Sequence, residues 1–303
     1  RNSLTCLTVA GIGVIVPLIG GTVCYYFFFE AGATGFDDIL KAVFVGVVLT
    51  ATSVSITVEA LREMGKLDGK VGNTILGAAV LDDIIGIVVL TIVSSFKDSD
   101  VSVSGVLIKI LLYGICMAVL ALILSKGKNI IDSNIKKQRA STYILAACLL
   151  ISFASEHFFG VADITGAYLL GLFLSSHGIK HEIYRKINVP SYIFFSPIFF
   201  ASVGLKVNLE GMTGTIVVFS IVLLVIAILT KIIGCGLGAK ICGFSGKESV
   251  QVGIGMVSRG EVALIVAQKG SEMGLLSLTL MPAVVLVVIA TTIFTPIILK
   301  KIM

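Results

Sequence analysis

The chain has 303 residues, 56% of them hydrophobic and 14% charged, with a net charge of +5 and a mean hydropathy of +1.06. A soluble domain would be far more polar, and apolar runs of about 20 residues recurring from end to end are the signature of membrane-spanning helices. Six cysteines without C-x-x-C spacing or paired histidines argue against a zinc site or a disulfide scaffold, and they read as packing residues.

Charged and turn-rich breaks divide the sequence into ten predicted spans, at about 4–29, 39–61, 71–95, 104–125, 141–160, 162–178, 189–205, 213–239, 249–268 and 277–299. The second contains VVLTATSVSITVEAL, residues 47–61, where Thr50, Thr52, Ser53, Ser55 and Thr57 cluster near mid-depth. So much β-branched and hydroxyl content in one place predicts a locally unwound helix, whose freed carbonyls are candidate cation ligands. The third contains GAAVLDDIIGIVVL, residues 77–90, with Asp82 and Asp83 adjacent in an otherwise apolar run. In the middle spans His157, His177 and His181 lie near span ends, which reads as solvated surface, and Glu156 and Asp163 fall in an outer loop, with a role in an ion funnel as the alternative. The eighth span holds Lys231. The ninth contains GIGMVSRGEVALIVA, residues 253–267, where Gly253, Gly255 and Gly260 beside Arg259 and Glu261 predict a second break. Because the first residue is Arg1, the natural protein is expected to start further upstream.

With the C-terminus placed in the cytoplasm, five of the 23 basic residues (Lys41, Lys97, Lys109, Lys206 and Lys269) fall on the outer side and sixteen on the inner side. That alternation is what the positive-inside rule expects, and it explains the basic balance without nucleic acid. The two left over, Lys231 and Arg259, are deep inside spans. At about 1.5 Å per residue, Asp82 and Asp83 lie roughly 17–18 Å, and Lys231 roughly 12–13 Å, from the cytoplasmic ends of their spans. Both depths are near the middle of hydrocarbon about 30 Å thick, where ionisable groups are tolerated mainly when they face a cavity or one another. A pairing of Lys231 with one aspartate follows. Neighbours on a helix point about 100° apart, so the other carboxylate is left for a proton or a metal cation. Hard cations such as Na⁺ prefer oxygen ligands, and a carboxylate holds either a cation or a proton. Asp82, Asp83 and Glu261 against Lys231 and Arg259 leave one negative charge for a cation or proton to balance.

A shift of 209 residues superimposes Gly65 on Gly274 and carries spans one to three onto spans eight to ten. It also carries Asp82 and Asp83 onto Thr291 and Thr292, Thr52 onto Glu261, and Thr22 onto Lys231. Copies seven spans apart point in opposite directions, and inverted repeats of this kind are characteristic of secondary transporters, with the substrate site at their interface. The expected fold is an all-α polytopic membrane protein. Residues 1–100 and 209–303 form the two repeat parts of an ion-carrying core, and 101–208 the linker and scaffold helices. Two other classes fit less well: an intramembrane aspartyl protease needs its acids face to face, which adjacent positions on one helix cannot readily provide, and a channel needs no competing proton carrier.

The VLDDIIGIV helix after a TATS segment, the later SPIFFASVGLKVNL, the embedded Lys231 and the final VSRGEVALIVA resemble, in this order, the monovalent cation/proton antiporter family, in particular its bacterial Na⁺/H⁺ branch with an Asp-Asp pair. The resemblance covers essentially the whole chain. It implies an inverted-repeat antiporter with two crossing broken helices and a core bundle moving against a dimerisation bundle in a homodimer. It implies Asp83 as the principal carrier of Na⁺, Asp82 paired with Lys231, Thr52 and Ser53 at the unwound segment, and Arg259 and Glu261 as a structural pair at the second break. The residue before R-G-E, often proline in that family, is Ser258. Members of that family usually have twelve or thirteen spans, so two or three further spans upstream of Arg1 are implied. The expected activity is exchange of Na⁺ or Li⁺ for H⁺ in a bacterial plasma membrane, without a cofactor, with K⁺/H⁺ exchange as the alternative.

Overall fold

The computed structural model describes residues 2–30, 32, 35–97, 103–126, 140–161, 163–175, 185–187, 189–195, 197–198, 201 and 213–303. Within them the backbone is helical and no strand occurs, and two compact units emerge, residues 1–99 with 207–303, and residues 100–206. Among the described residues seven helical stretches are long and apolar enough to cross a membrane. The protein is an integral membrane protein. Most of the motif SPIFFASVGLKVNL and part of the seventh predicted span lie outside the described residues, as do His177 and His181.

The first unit opens with α1 (Asn2–Phe29), followed by α2 (Phe36–Thr50), α3 (Val54–Glu63) and α4 (Lys70–Ser95). Its second part contains α8 (Gly214–Ile241), α9 (Gly246–Gly255), α10 (Glu261–Glu272) and α11 (Met281–Ile302). The expected unwinding of span two is seen at residues 51–53, and that of span nine at 256–260. The half-helices beyond the breaks stop in the same way. Met64, Gly65 and Lys66 donate backbone N–H groups to Ala60, Arg62 and Leu61, and Met273, Gly274 and Leu275 do so to Lys269, Ser271 and Gly270. Every position in the second set is 209 beyond its counterpart. Gly65 and Gly274 take φ of 65° and 70°, the left-handed conformation that a glycine stop supplies cheaply.

Lipid offers helices no hydrophobic reason to associate, so close backbone approach through small residues has to hold this unit together. A Cβ on Gly13 would collide with the Cys235 sulfur, one on Gly238 with the Val9 backbone, and one on Gly46 with the Leu18 carbonyl. These notches let α1 lie against both α8 and α2. In the second unit α5 (Val103–Lys126), α6 (Ala140–Phe159) and α7 (Asp163–Leu174) pack together, with Ser155 donating to Tyr113 across 3.4 Å. Glu156 and His157 are exposed, the latter stacked on Phe153 at 5.1 Å.

Candidate functional site

The two breaks meet inside the first unit. Ser53 N–H donates to Ser258 O at 2.7 Å, and the Ser258 hydroxyl donates back to Ser53 O at 3.0 Å. Thr57 donates to Gly255 O at 2.8 Å, with its hydroxyl 2.7 Å from that of Ser258. Ser258 is fully buried. Its side chain laces one break to the other, a link that proline at this position cannot make.

Freed carbonyls in hydrocarbon must be matched or left for a ligand. At the second break all five from residue 255 to 259 are matched. Thr57 reaches Gly255 O; the Thr52 hydroxyl reaches Met256 O at 3.5 Å; Arg259 reaches Val257 O at 3.1 Å; Ser53 N–H reaches Ser258 O; and Thr292 reaches Arg259 O at 2.7 Å. At the first break Leu49 O and Ser53 O are matched, but Thr50 O, Ala51 O and Thr52 O receive no side-chain donor and no turn or cap bond among the described residues. Open backbone oxygen is therefore concentrated at 50–52.

Lys231 and Asp82 are 0% and 1% exposed, and Lys231 Nζ lies 3.0 and 3.1 Å from the two carboxylate oxygens of Asp82. Breaking such a pair would strand a buried charge at a cost of about 3–5 kcal/mol. The adjacent Asp83 is placed differently. It is part-buried, its Oδ1 is closed off from solvent without a hydrogen-bond partner, and Asp82, Lys231 and Glu261 act on it electrostatically. Ser53 Oγ, packed against Gly260, is likewise buried without a donor or acceptor opposite it. Among the described residues no cluster of three or more metal-ligating side chains occurs, so a cation held here would draw on backbone oxygens too.

Arg259 and Glu261 are not paired, contrary to the expectation from sequence. Arg259 is 1% exposed, and its guanidinium donates to Leu49 O at 2.7 Å, Val257 O at 3.1 Å and Ala227 O at 3.2 Å. The cause is local. Half-helices α2 and α9 both end at this point, their last carbonyls carry the negative end of each helix dipole, and the two ends converge on one cation. Glu261 instead begins α10 and remains part-buried. The Arg259 peptide is itself held from α11, where Thr291 Oγ1 accepts its N–H at 3.3 Å and Thr292 donates to its carbonyl. Sequence reasoning placed Thr57 only in the hydroxyl cluster of the first break and gave no role to Ser258, Thr291 or Thr292. The last two were accessible through the 209-residue shift, which sets them opposite Asp82 and Asp83.

The whole chain, residues 1–303, matches the family described as sodium/hydrogen exchanger, transmembrane. It is 41% identical over 304 residues to the Na(+)/H(+)-K(+) antiporter GerN of Bacillus cereus, covering 99% of this chain and 75% of that protein. It is 35% identical to a Na(+)/H(+) antiporter of Enterococcus hirae, over 95% of this chain and 76% of that one. The K(+)/H(+) antiporter subunit KhtU of Bacillus subtilis is 28% identical, over 93% of this chain and 71% of the relative. With broken helices laced at mid-span, a buried lysine–aspartate pair and a second carboxylate left open, the chain belongs to the sodium/hydrogen exchanger family.

Proposed function

We propose that the protein is a secondary transporter that exchanges Na⁺ or Li⁺ for H⁺ by alternating access, with Asp83 as the carrier. The observation that carries this reading is the contrast within one dipeptide: Asp82 is engaged by Lys231, while Asp83 keeps a buried oxygen with no partner. A deprotonated Asp83 binds the cation with help from Asp82, from Thr52 and Ser53, and from the open carbonyls of 50–52; a proton displaces it. Competition for one carboxylate couples the two fluxes, and loading changes the charge of the site by a whole unit in either case. Arg259 and Glu261 remain structural at the second break, by separate contacts.

In this reading residues 1–100 and 209–303 are inverted halves of the core, and 101–208 supply the scaffold on which a homodimer forms. The membrane is the bacterial plasma membrane and the C-terminus is cytoplasmic. The work done is transport and not catalysis, and no cofactor takes part. If Lys231 also releases its proton when Asp82 turns to the ion, two protons exchange per Na⁺ and transport is electrogenic; if Lys231 keeps it, exchange is one for one. The second reading is K⁺/H⁺ exchange, which has the support that the names of the Bacillus cereus and Bacillus subtilis relatives include K⁺.

The test is cation-induced proton release from proteoliposomes, with Na⁺, Li⁺ and K⁺ compared in the wild type and in Asp83→Asn. Release with Na⁺ or Li⁺ that is absent from the variant is the expected result. Release with K⁺ alone selects the second reading, and wild-type rates in Asp83→Asn overturn the assignment of the carrier.

A further inference from the structure

We propose that Arg259 is a positioning residue of the exchange site, setting the distance between the first break and the helix that carries Lys231. The inference rests on the exchange function proposed above. A single guanidinium is bonded to three elements: Leu49 O in the last turn of α2, Val257 O just past α9, and Ala227 O on α8. Two of these contacts border the site directly. Leu49 immediately precedes the open stretch 50–52, and Ala227 is four residues, one helical turn, before Lys231. Arg259 thus joins the segment that offers oxygen to the cation to the helix whose lysine holds Asp82. No side chain from the site is needed for that link, because all three acceptors are backbone.

The planar, multi-donor fork is essential to this role. Lysine has the same charge, but as a compact point donor it cannot span the three carbonyls in one fixed geometry. Arg259 is anchored in turn by Thr291 and Thr292, which bind its peptide N–H and C=O from α11. Loosening the anchor weakens the positioning more gently than replacing the arginine.

A role confined to charge and a role in positioning differ in the sign of their effects. Loss of a positive charge near a cation site would tighten Na⁺ binding, whereas loss of alignment among ligands weakens it. The half-saturating Na⁺ concentration and the maximal exchange rate are measured separately, in proteoliposomes at fixed pH, for the wild type, Arg259→Lys and Thr292→Val. With positioning, Arg259→Lys raises the half-saturating concentration roughly tenfold, since small misplacements of a preorganised site carry such factors. Thr292→Val raises it less, in the same direction, and the maximal rates stay closer to wild type than the affinities do.

An unchanged or lowered half-saturating concentration in folded Arg259→Lys overturns the proposal. If that variant does not fold, Thr292→Val decides, and an unchanged value there overturns it equally. Failure of the wild type to exchange any cation would instead remove the function on which the inference rests.

Discussion

Residues 82–83 on α4 and 291–292 on α11 stand 209 positions apart, and each pair sits beside a broken helix. The first pair is two carboxylates and the second two threonines. At α11 the hydroxyls are used up on the backbone: Thr291 takes the Arg259 N–H and Thr292 gives to its carbonyl, so the Arg259 peptide of the second break is closed. At α4 one carboxylate engages Lys231 and the other is left open, beside a break where, among the described residues, the carbonyls of 50–52 receive no side-chain donor and no turn or cap bond. The two breaks therefore divide the labour. One has the carbonyls of 255–259 matched and holds the crossing together, and the other is left incomplete where a cation can complete it.

The most severe way to break this contrast is to neutralise the open side. Asp83→Asn should abolish proton-coupled Na⁺ exchange while the purified protein stays monodisperse, because it removes the competing charge and little packing. Next in size is Lys231→Met, which leaves Asp82 buried and unpaired. It should cost about 3–5 kcal/mol in thermal or denaturant stability, and Asp82→Leu in the same molecule should recover most of that loss. If the double variant were no more stable than the single one, the pair would not be acting as a unit. On the closed side Thr291→Val strands the buried Arg259 N–H, for an expected loss of about 1–3 kcal/mol in stability. Exchange should persist at reduced Na⁺ affinity, so outright loss of exchange in a stable Thr291→Val would show that the second break also carries the ion.

The smallest effects belong to the rim. Ser245 and Glu248 form a capping box at the start of α9, and Lys70 at the start of α4 lies 3.3 Å from Glu248 and 3.9 Å over the Phe244 ring. The hydrogen bond from the Ser245 backbone, assisted by Lys70, holds the Glu248 carboxyl below its usual range. A lowered carboxyl stabilises the fold above the unfolded carboxyl range, and that contribution disappears as pH falls through the folded value. Glu248→Gln should therefore differ slightly from wild type near neutral pH and converge with it in acid. The exposed pair is also screened by salt, so a large effect persisting at high ionic strength would be at odds with this picture. Ser245→Ala should cost about 1 kcal/mol through the lost cap.

Much of this arrangement was legible in the sequence because it is written in side-chain chemistry. Hydroxyl crowding at 50–57 and glycine crowding at 253–260 mark the breaks, and ionisable groups at mid-depth narrow the partners of Lys231 to two. The destination of Arg259 was not legible. Its partners are backbone carbonyls of Leu49, Val257 and Ala227, which any residue at those positions would supply, so charge matching pointed to the nearby Glu261 instead. The lacing by Ser258 escaped for a similar reason, since a serine in a membrane helix more often bonds back to its own turn.

The matched stops at Gly65 and Gly274 act as rulers. Helix α3 runs 10 residues to its stop and α10 runs 12, lengths of roughly 15 and 18 Å at about 1.5 Å per residue. Either is about half of a hydrocarbon layer roughly 30 Å deep. By terminating the half-helices 10 and 12 residues from their breaks, the glycines hold both breaks near one level. Inserting a single helical turn before either glycine would move a break by about 5 Å, out of register with the Lys231–Asp82 pair, with every ligand still present in the sequence.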